Sequence, residues 1–172
     1  LHYGDSQIEG DRISADLRDV LQRRFGGMGP GLQGMDPFVP MASVDHQASG
    51  NWQRYACFGR PGDRELSGFY GVRGIAHRYQ GATASMEFRA RTYGYDRVRS
   101  AQKLTLFLGP YEGPTEVKVY FEDSLAHIRY YSAGDPSKME FVAPQPMSRV
   151  RVEFNGQSPL WYGAAWDGTR GV

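Results

Sequence analysis

One cysteine, Cys57, stands in a chain of 172 residues, so no intramolecular disulfide holds this protein. The four histidines, His2, His46, His77 and His127, make no zinc pattern at the usual ligand spacings. No window approaches the roughly 18 consecutive apolar residues of a membrane span. Charge of one sign is equally scarce: 20 Lys+Arg against 19 Asp+Glu give a net charge of +1. That balance argues against nucleic acid or an anionic membrane as the main partner. The dense run of Asp, Asn and Glu that a calcium loop needs is also missing. The chain opens without a start Met or a secretory leader, and Leu1-His2-Tyr3 reads as the end of a strand that begins upstream. The sequence is therefore expected to be a fragment.

What is present begins with an amphipathic helix. Ile13, Leu17, Val20, Leu21 and Phe25 recur at helical spacing among charged residues between Asp11 and Phe25. Asp11 stands where an N-cap belongs, and Gly26-Gly27 follows the last apolar residue. The stretch from Gly26 to Gly34 is too rich in glycine for either regular element, and Pro37 and Pro40 place a domain junction near residues 35–42.

Beyond residue 50 the period changes to two. Ala84, Met86, Phe88 and Ala90 alternate with polar residues, as do Val117, Val119 and Phe121, and Val150, Val152 and Phe154. Lys103 to Leu108 is more continuously apolar and predicts a central strand. Closely spaced turn clusters separate these runs, and Asn155-Gly156 reads as a hairpin turn. The fold class is mainly β: an antiparallel β-sandwich, a jelly roll, over residues 42–158, with one N-terminal α-helix. Leu160 to Trp166 adds one further strand, with Trp161 and Trp166 expected at a junction.

The segment Gly4-Asp5-Ser6, between a short apolar strand and the helix, places Ser6 on a strand-to-helix turn with its backbone N–H near a helix N-terminus. In this context the sequence resembles the GDSL or SGNH-type serine esterases and acylhydrolases. The wording from His2 to Gln7 and from Phe25 to Leu32 is similar to secreted or periplasmic members, including peptidoglycan O-acetylesterases that carry an inserted galactose-binding-like sandwich. The resemblance implies three parts: residues 1–36 as the start of the hydrolase, 42–158 as the insert, and 159–172 as a return strand of the incomplete hydrolase domain. It implies Ser6 as nucleophile and oxyanion donor, supported by Gly4 and Asp5, acting on an acylated, in the first place acetylated, carbohydrate without a cofactor, in a periplasmic or secreted protein. Asp5 is read as a turn-forming residue. No histidine has Asp three residues before it, so the base is missing and the chain alone is expected to be inactive. The alternative is a non-catalytic carbohydrate-binding sandwich, or a degenerate hydrolase serving as an interaction module. In either case the apolar face of the helix is expected to pack on the sandwich or on a second chain.

Flat aromatics in turn-rich, polar surroundings are the candidates for stacking on sugar rings: Trp52, Tyr93, Tyr95 and Tyr111. Tyr130 and Tyr131 must point to opposite faces of a strand. The basic run Arg89, Arg91, Arg97 and Arg99 reads as a solvated face or as a meeting place for acidic glycans.

Overall fold

A computed structural model describes residues 9–35, 39–110, 113–133 and 137–171. One α-helix, α1 (Arg12–Phe25), precedes eleven strands: β1 (Gly31–Gln33), β2 (Val44–Ala48), β3 (Trp52–Ala56), β4 (Ile75–Tyr79), β5 (Thr83–Ala90), β6 (Ala101–Leu108), β7 (Thr115–Phe121), β8 (Ser124–Tyr131), β9 (Lys138–Met147), β10 (Arg149–Gly156) and β11 (Trp161–Asp167). They form two antiparallel sheets. One runs β3-β4-β11-β6-β9 with β1 also paired to β11, and the other runs β2-β5-β10-β7-β8. The jelly-roll-like sandwich expected from the period-2 pattern is present.

The core follows from that pattern. Val152 lies opposite Met86 on one side and Val119 on the other, so each rung of the second sheet sends one row of apolar side chains inward. They meet Leu104, Leu106, Leu108, Phe141 and both tryptophans of β11, all of them buried. Trp161 and Trp166 have opposite parity along a regular strand, yet both reach the core. The register slips between Trp161 and Gly163, and this bulge turns the strand by one residue. Gly163 has φ 142°, and a Cβ there would stand 2.7 Å from the carbonyl oxygen of Gln33, where β1 closes on β11.

Four expectations change here. The tryptophans lie in the middle of the sandwich rather than at a junction. Residues 161–167 form an interior strand of the sandwich itself, bonded to β6 on one side and to β1 and β4 on the other. Asn155-Gly156 is no hairpin turn, because β10 and β11 lie in different sheets and the chain crosses between them there. Gly31–Gln33, inside the glycine-rich stretch, pairs as a strand because Trp166, Ala165 and Ala164 offer it a free edge.

The helix also docks in an unexpected way. Its buried residues are Ala15, Asp19 and Gln22, while Ile13, Leu17, Val20 and Phe25 are 45%, 45%, 60% and 58% exposed. The expected packing of the apolar stripe is therefore corrected: the polar side faces the sandwich. Small Ala15 permits close approach, and the polar groups have dedicated partners. The Gln22 amide donates to the Gly29 carbonyl at 2.9 Å, and the Tyr95 hydroxyl donates to Asp16. Asp11 does not cap the helix with its side chain. Its buried carboxylate accepts from both Arg18 terminal nitrogens, at 2.9 and 2.6 Å, and from the Ser43 hydroxyl at 2.5 Å, tying α1 to the residue just before β2.

An α/β hydrolase is built on a parallel sheet with helices packed on its faces. Among the described residues every strand pair is antiparallel, and the single α-helix lays its apolar face on no sheet. The helix as a remnant of an incomplete SGNH domain is not supported by this architecture.

Asp11 adopts φ 68°, a conformation that Asn tolerates and Ala does not. Asp11→Ala is expected to destabilise helix docking by about 1–3 kcal/mol, by orphaning the Arg18 and Ser43 donors, and Asp11→Asn by less. Native-state hydrogen exchange checks this: protection of α1 falls in the order wild type, Asn, Ala, while β6 and β10 keep theirs.

Candidate functional site

Strands β2 and β3 are consecutive in the chain but belong to different sheets, each as an edge strand. The turn between them is pinned by polar contacts. The Ser49 hydroxyl donates to the Asn51 side-chain oxygen at 2.6 Å, and the Asn51 amide donates to the carbonyls of Gln80 and Thr83 at 2.6 and 2.8 Å. The two edges therefore diverge from a fixed hinge. Between them opens a cleft of about 620 Å³, bounded at its far side by Met35, Pro40 and Met41, where the chain passes from β1 to β2.

Trp52, at the start of β3, forms part of the wall of this cleft and seals the core beneath it. Its ring packs edge-on against Tyr79 and Phe154, at 5.1 and 5.7 Å between centroids, and its indole N–H donates to the Ser85 carbonyl at 3.1 Å. The residue nevertheless stays only half-buried. Two histidines join it. His46 on β2 stands edge-on to Phe88 at 5.1 Å, and His77 on β4 is buried beside Trp161 at 6.0 Å, opposite Arg54 in register.

The charged groups lie around these rings. Arg91, just past β5, bonds Asp45 of β2 at 2.7 Å, donates to the Tyr93 hydroxyl, and lies 5.5 Å from the Tyr93 ring centroid. Burial pushes the pKa of His46 down to about 4. A backbone hydrogen bond with Val44 and the charge of Asp45 oppose the fall, and the charges of Arg73 and Arg91 add to it. The imidazole is thus neutral near pH 7.

The structure brings two of the sequence candidates to this cleft. Trp52 lines it directly, and Tyr93, 70% exposed, reaches it through Arg91. Tyr95 does not: its hydroxyl is spent on Asp16 of α1, in a separate depression. Tyr111, and Gly4, Asp5 and Ser6, lie outside the described residues. Of the basic run, Arg91 alone lines the cleft, whereas Arg99 pairs with Asp96 and Arg97 reaches the Gly27 carbonyl. His46, His77 and Asp45 were not legible as site residues, because the cleft joins strands that are distant in sequence.

The outer face of the five-stranded sheet is the competing surface, and its groups satisfy one another. Arg151 covers the Tyr120 ring at 3.9 Å, the Tyr120 hydroxyl donates to Glu153 at 2.8 Å, and Tyr130 donates to Glu116 at 3.1 Å. Tyr131, the other half of the tyrosine pair, points inward and donates to the Gly109 carbonyl at 3.0 Å.

No known family model matches this chain, and no curated protein does. Among solved structures, a carbohydrate-binding module, CpGH89CBM32-6 produced by Clostridium perfringens, aligns over 73% of this chain and 93% of its own, at 6% identity and TM-score 0.41. CsCBM6-3 from Clostridium stercorarium, in complex with cellobiose, aligns over 74% of this chain and 86% of its own, at 14% identity and TM-score 0.39. TmCBM61, in complex with β-1,4-galactotriose, covers 73% and 86% at 9% identity and TM-score 0.38. These are likenesses of outline at very low identity. The resemblance to GDSL/SGNH hydrolases, and the serine-esterase activity it implied for Ser6, are corrected by the architecture itself: the described strands form two antiparallel sheets of a sandwich, with no parallel hydrolase sheet among the described residues.

Because the folded state holds His46 neutral down to about pH 4 while the unfolded chain protonates near 6.5, stability is complete above pH 6.5. It is expected to fall between pH 6.5 and 4, by up to about 3 kcal/mol. Denaturant midpoints of wild type and His46→Phe across that range check the sign, since the variant loses this part of the slope.

Proposed function

We propose that this chain is a non-catalytic carbohydrate-binding module whose ligand lies in the cleft between β2 and β3. The observation that carries this reading is the half-buried Trp52 ring in a cleft whose other walls hold Asp45, Arg54, His77 and Arg91. A sugar ring presents an apolar face of C–H groups and an equator of hydroxyls. An indole suits the first by stacking, and forked or bidentate polar side chains suit the second. Pockets that bind small molecules combine these features: mostly preformed walls, a large apolar contribution and a few placed polar groups.

Preorganisation supports the same reading. Trp52 is held by Tyr79, Phe154 and the Ser85 carbonyl, and Arg91 by Asp45 and Tyr93, so neither side chain has much freedom left to lose on binding. The binding reading needs no contribution from Ser6. The outlines shared with carbohydrate-binding modules accompany this reading, which rests on the cleft.

Titrating the labelled chain with short oligosaccharides, followed by amide and indole chemical shifts, tests it. Shifts are expected to gather on His46, Trp52, Arg54 and His77. Trp52→Phe keeps an aromatic ring in the core and is expected to weaken binding by about 1 kcal/mol, a roughly fivefold change in Kd. Shifts confined to Tyr120 and Tyr130 would move the site to the outer sheet face and end this proposal.

A further inference from the structure

The charge of the cleft is one-sided. Arg54 and Arg91 line it, and Asp45 is its one acidic wall residue among those described. Asp45 is already engaged by Arg91 at 2.7 Å. Even so, Arg91 is not saturated: its Nε is buried and has no hydrogen-bond acceptor among the described residues.

A third guanidinium is close by, near enough to act on His46, although it is not one of the residues that line the cleft. Arg73 lies against the backbone of Gly34, immediately before Met35 in the cleft wall. A Cβ at position 34 would fall 1.3 Å from the Arg73 Nη1, so only glycine leaves the guanidinium its place. No carboxylate and no hydrogen-bond acceptor faces Arg73 among the described residues. Arg73 is desolvated enough for its pKa to fall, and it is near enough to His46 to oppose protonation of that ring. The groups facing His46 are thus Arg73, Arg91 and Asp45, and the neutral imidazole adds no charge of its own. A guanidinium withdrawn from water without a counter-ion is costly in the folded state. An incoming anion offsets that cost, and the planar fork fits the two oxygens of a carboxylate or sulfate.

We propose that the ligand of this cleft is an acidic sugar, whose carboxylate or sulfate is bound by Arg91 in the field of the nearby Arg73, with Arg54 at the rim, while Trp52 takes the ring. This rests on the carbohydrate reading of the cleft and names the class of sugar it takes. Arg91 was visible in the sequence as one of a basic run; Arg73 and its glycine berth were not.

Calorimetric titration of the whole chain tests it with three oligosaccharides of equal length: an oligogalacturonate, a neutral galacto-oligosaccharide, and the sulfated form of the latter. At least one acidic ligand is expected to bind about tenfold or more tighter than the neutral one, with the preference shrinking as salt rises. Which acidic ligand wins identifies the anion. Arg73→Gln and Arg91→Gln are each expected to lower acidic binding by about tenfold or more and neutral binding by less than about twofold. Asp45→Asn should strengthen acidic binding. A separate readout needs no ligand: Arg73→Gln is expected to raise the melting temperature of the free chain, because it removes a desolvated cation, whereas a purely structural arginine would lower it. Neutral sugar bound as tightly as acidic sugar overturns the acidic inference and leaves the cleft reading in place. Acidic binding unchanged in both arginine variants overturns the assignment to these residues. No binding of any of the three overturns the cleft reading itself.

Discussion

Two sheets packed face to face must be shut at their edges, and the way each side of this sandwich is shut governs what the molecule can do. Sheets in a sandwich lie about 10 Å apart, so an open side admits water to the core unless a large side chain spans the gap. Along β8 and β9 the gap is filled: His127 stands between Phe121 and Phe141, 5.5 Å from each ring, and Arg129 covers Phe141 at 5.1 Å. The β9 edge also carries Pro144 and Pro146, which remove backbone donors from it and discourage further strand pairing. Along β2 and β3 the closure is made by Trp52 and leaves a hollow above it. The same indole that keeps water from Tyr79 and Phe154 therefore forms part of the wall of an open cleft.

The helix obeys a different rule from the strands. Hydrophobic burial holds the sheets together, whereas α1 is held by a network of charges and amides centred on the buried Asp11 carboxylate. Buried polar groups hold a contact best when they are satisfied. Here Arg18 and Ser43 satisfy Asp11 and the Gly29 carbonyl accepts from the Gln22 amide, while the buried Gln22 Oε1 has no partner among the described residues. Such a contact is directional where an apolar one is not. It fixes how α1 is turned, and that is why the helix can present Ile13, Leu17, Val20 and Phe25 outward against their own tendency.

The interior strands were legible in the sequence because burial on one face imposes strict alternation, as in Ala84-Met86-Phe88-Ala90 and Val117-Val119-Phe121. The edge strands were not. β8 is exposed along most of its length, so its sequence carries no period to read, and β1 is a strand only because β11 supplies the hydrogen bonds. The helix was legible as a helix, but its docking was not: the usual rule that the apolar stripe faces inward fails when a polar network determines the contact. Of the site, Trp52 and Arg91 stood out by local composition. His46 and His77 line one cleft only because consecutive strands diverge into different sheets, and no spacing along the chain encodes that divergence. The serine motif pointed elsewhere because a short turn motif depends for its meaning on the sheet around it.

The arrangement around Gly34 shows why the cleft is better read as a site than as a gap in the packing. A void left by imperfect packing is lined with whatever the core supplies, which is apolar. This hollow is walled by arginine, aspartate and imidazole, and behind it a glycine has no side chain where the Arg73 guanidinium lies. On the outer face of the neighbouring sheet, Arg149 and Arg151 are each charge-matched by a glutamate within the fold, although the buried Arg149 Nε, like that of Arg91, has no acceptor among the described residues. Arg73 lacks such a partner among the described residues, although carboxylates are as common as cations in the chain as a whole. Charge matched on one surface and unmatched beside a preformed hollow is a local asymmetry that stability alone does not favour, since a desolvated cation without a partner weakens the fold. A binding site accounts for that asymmetry, because the counter-charge then arrives with the ligand.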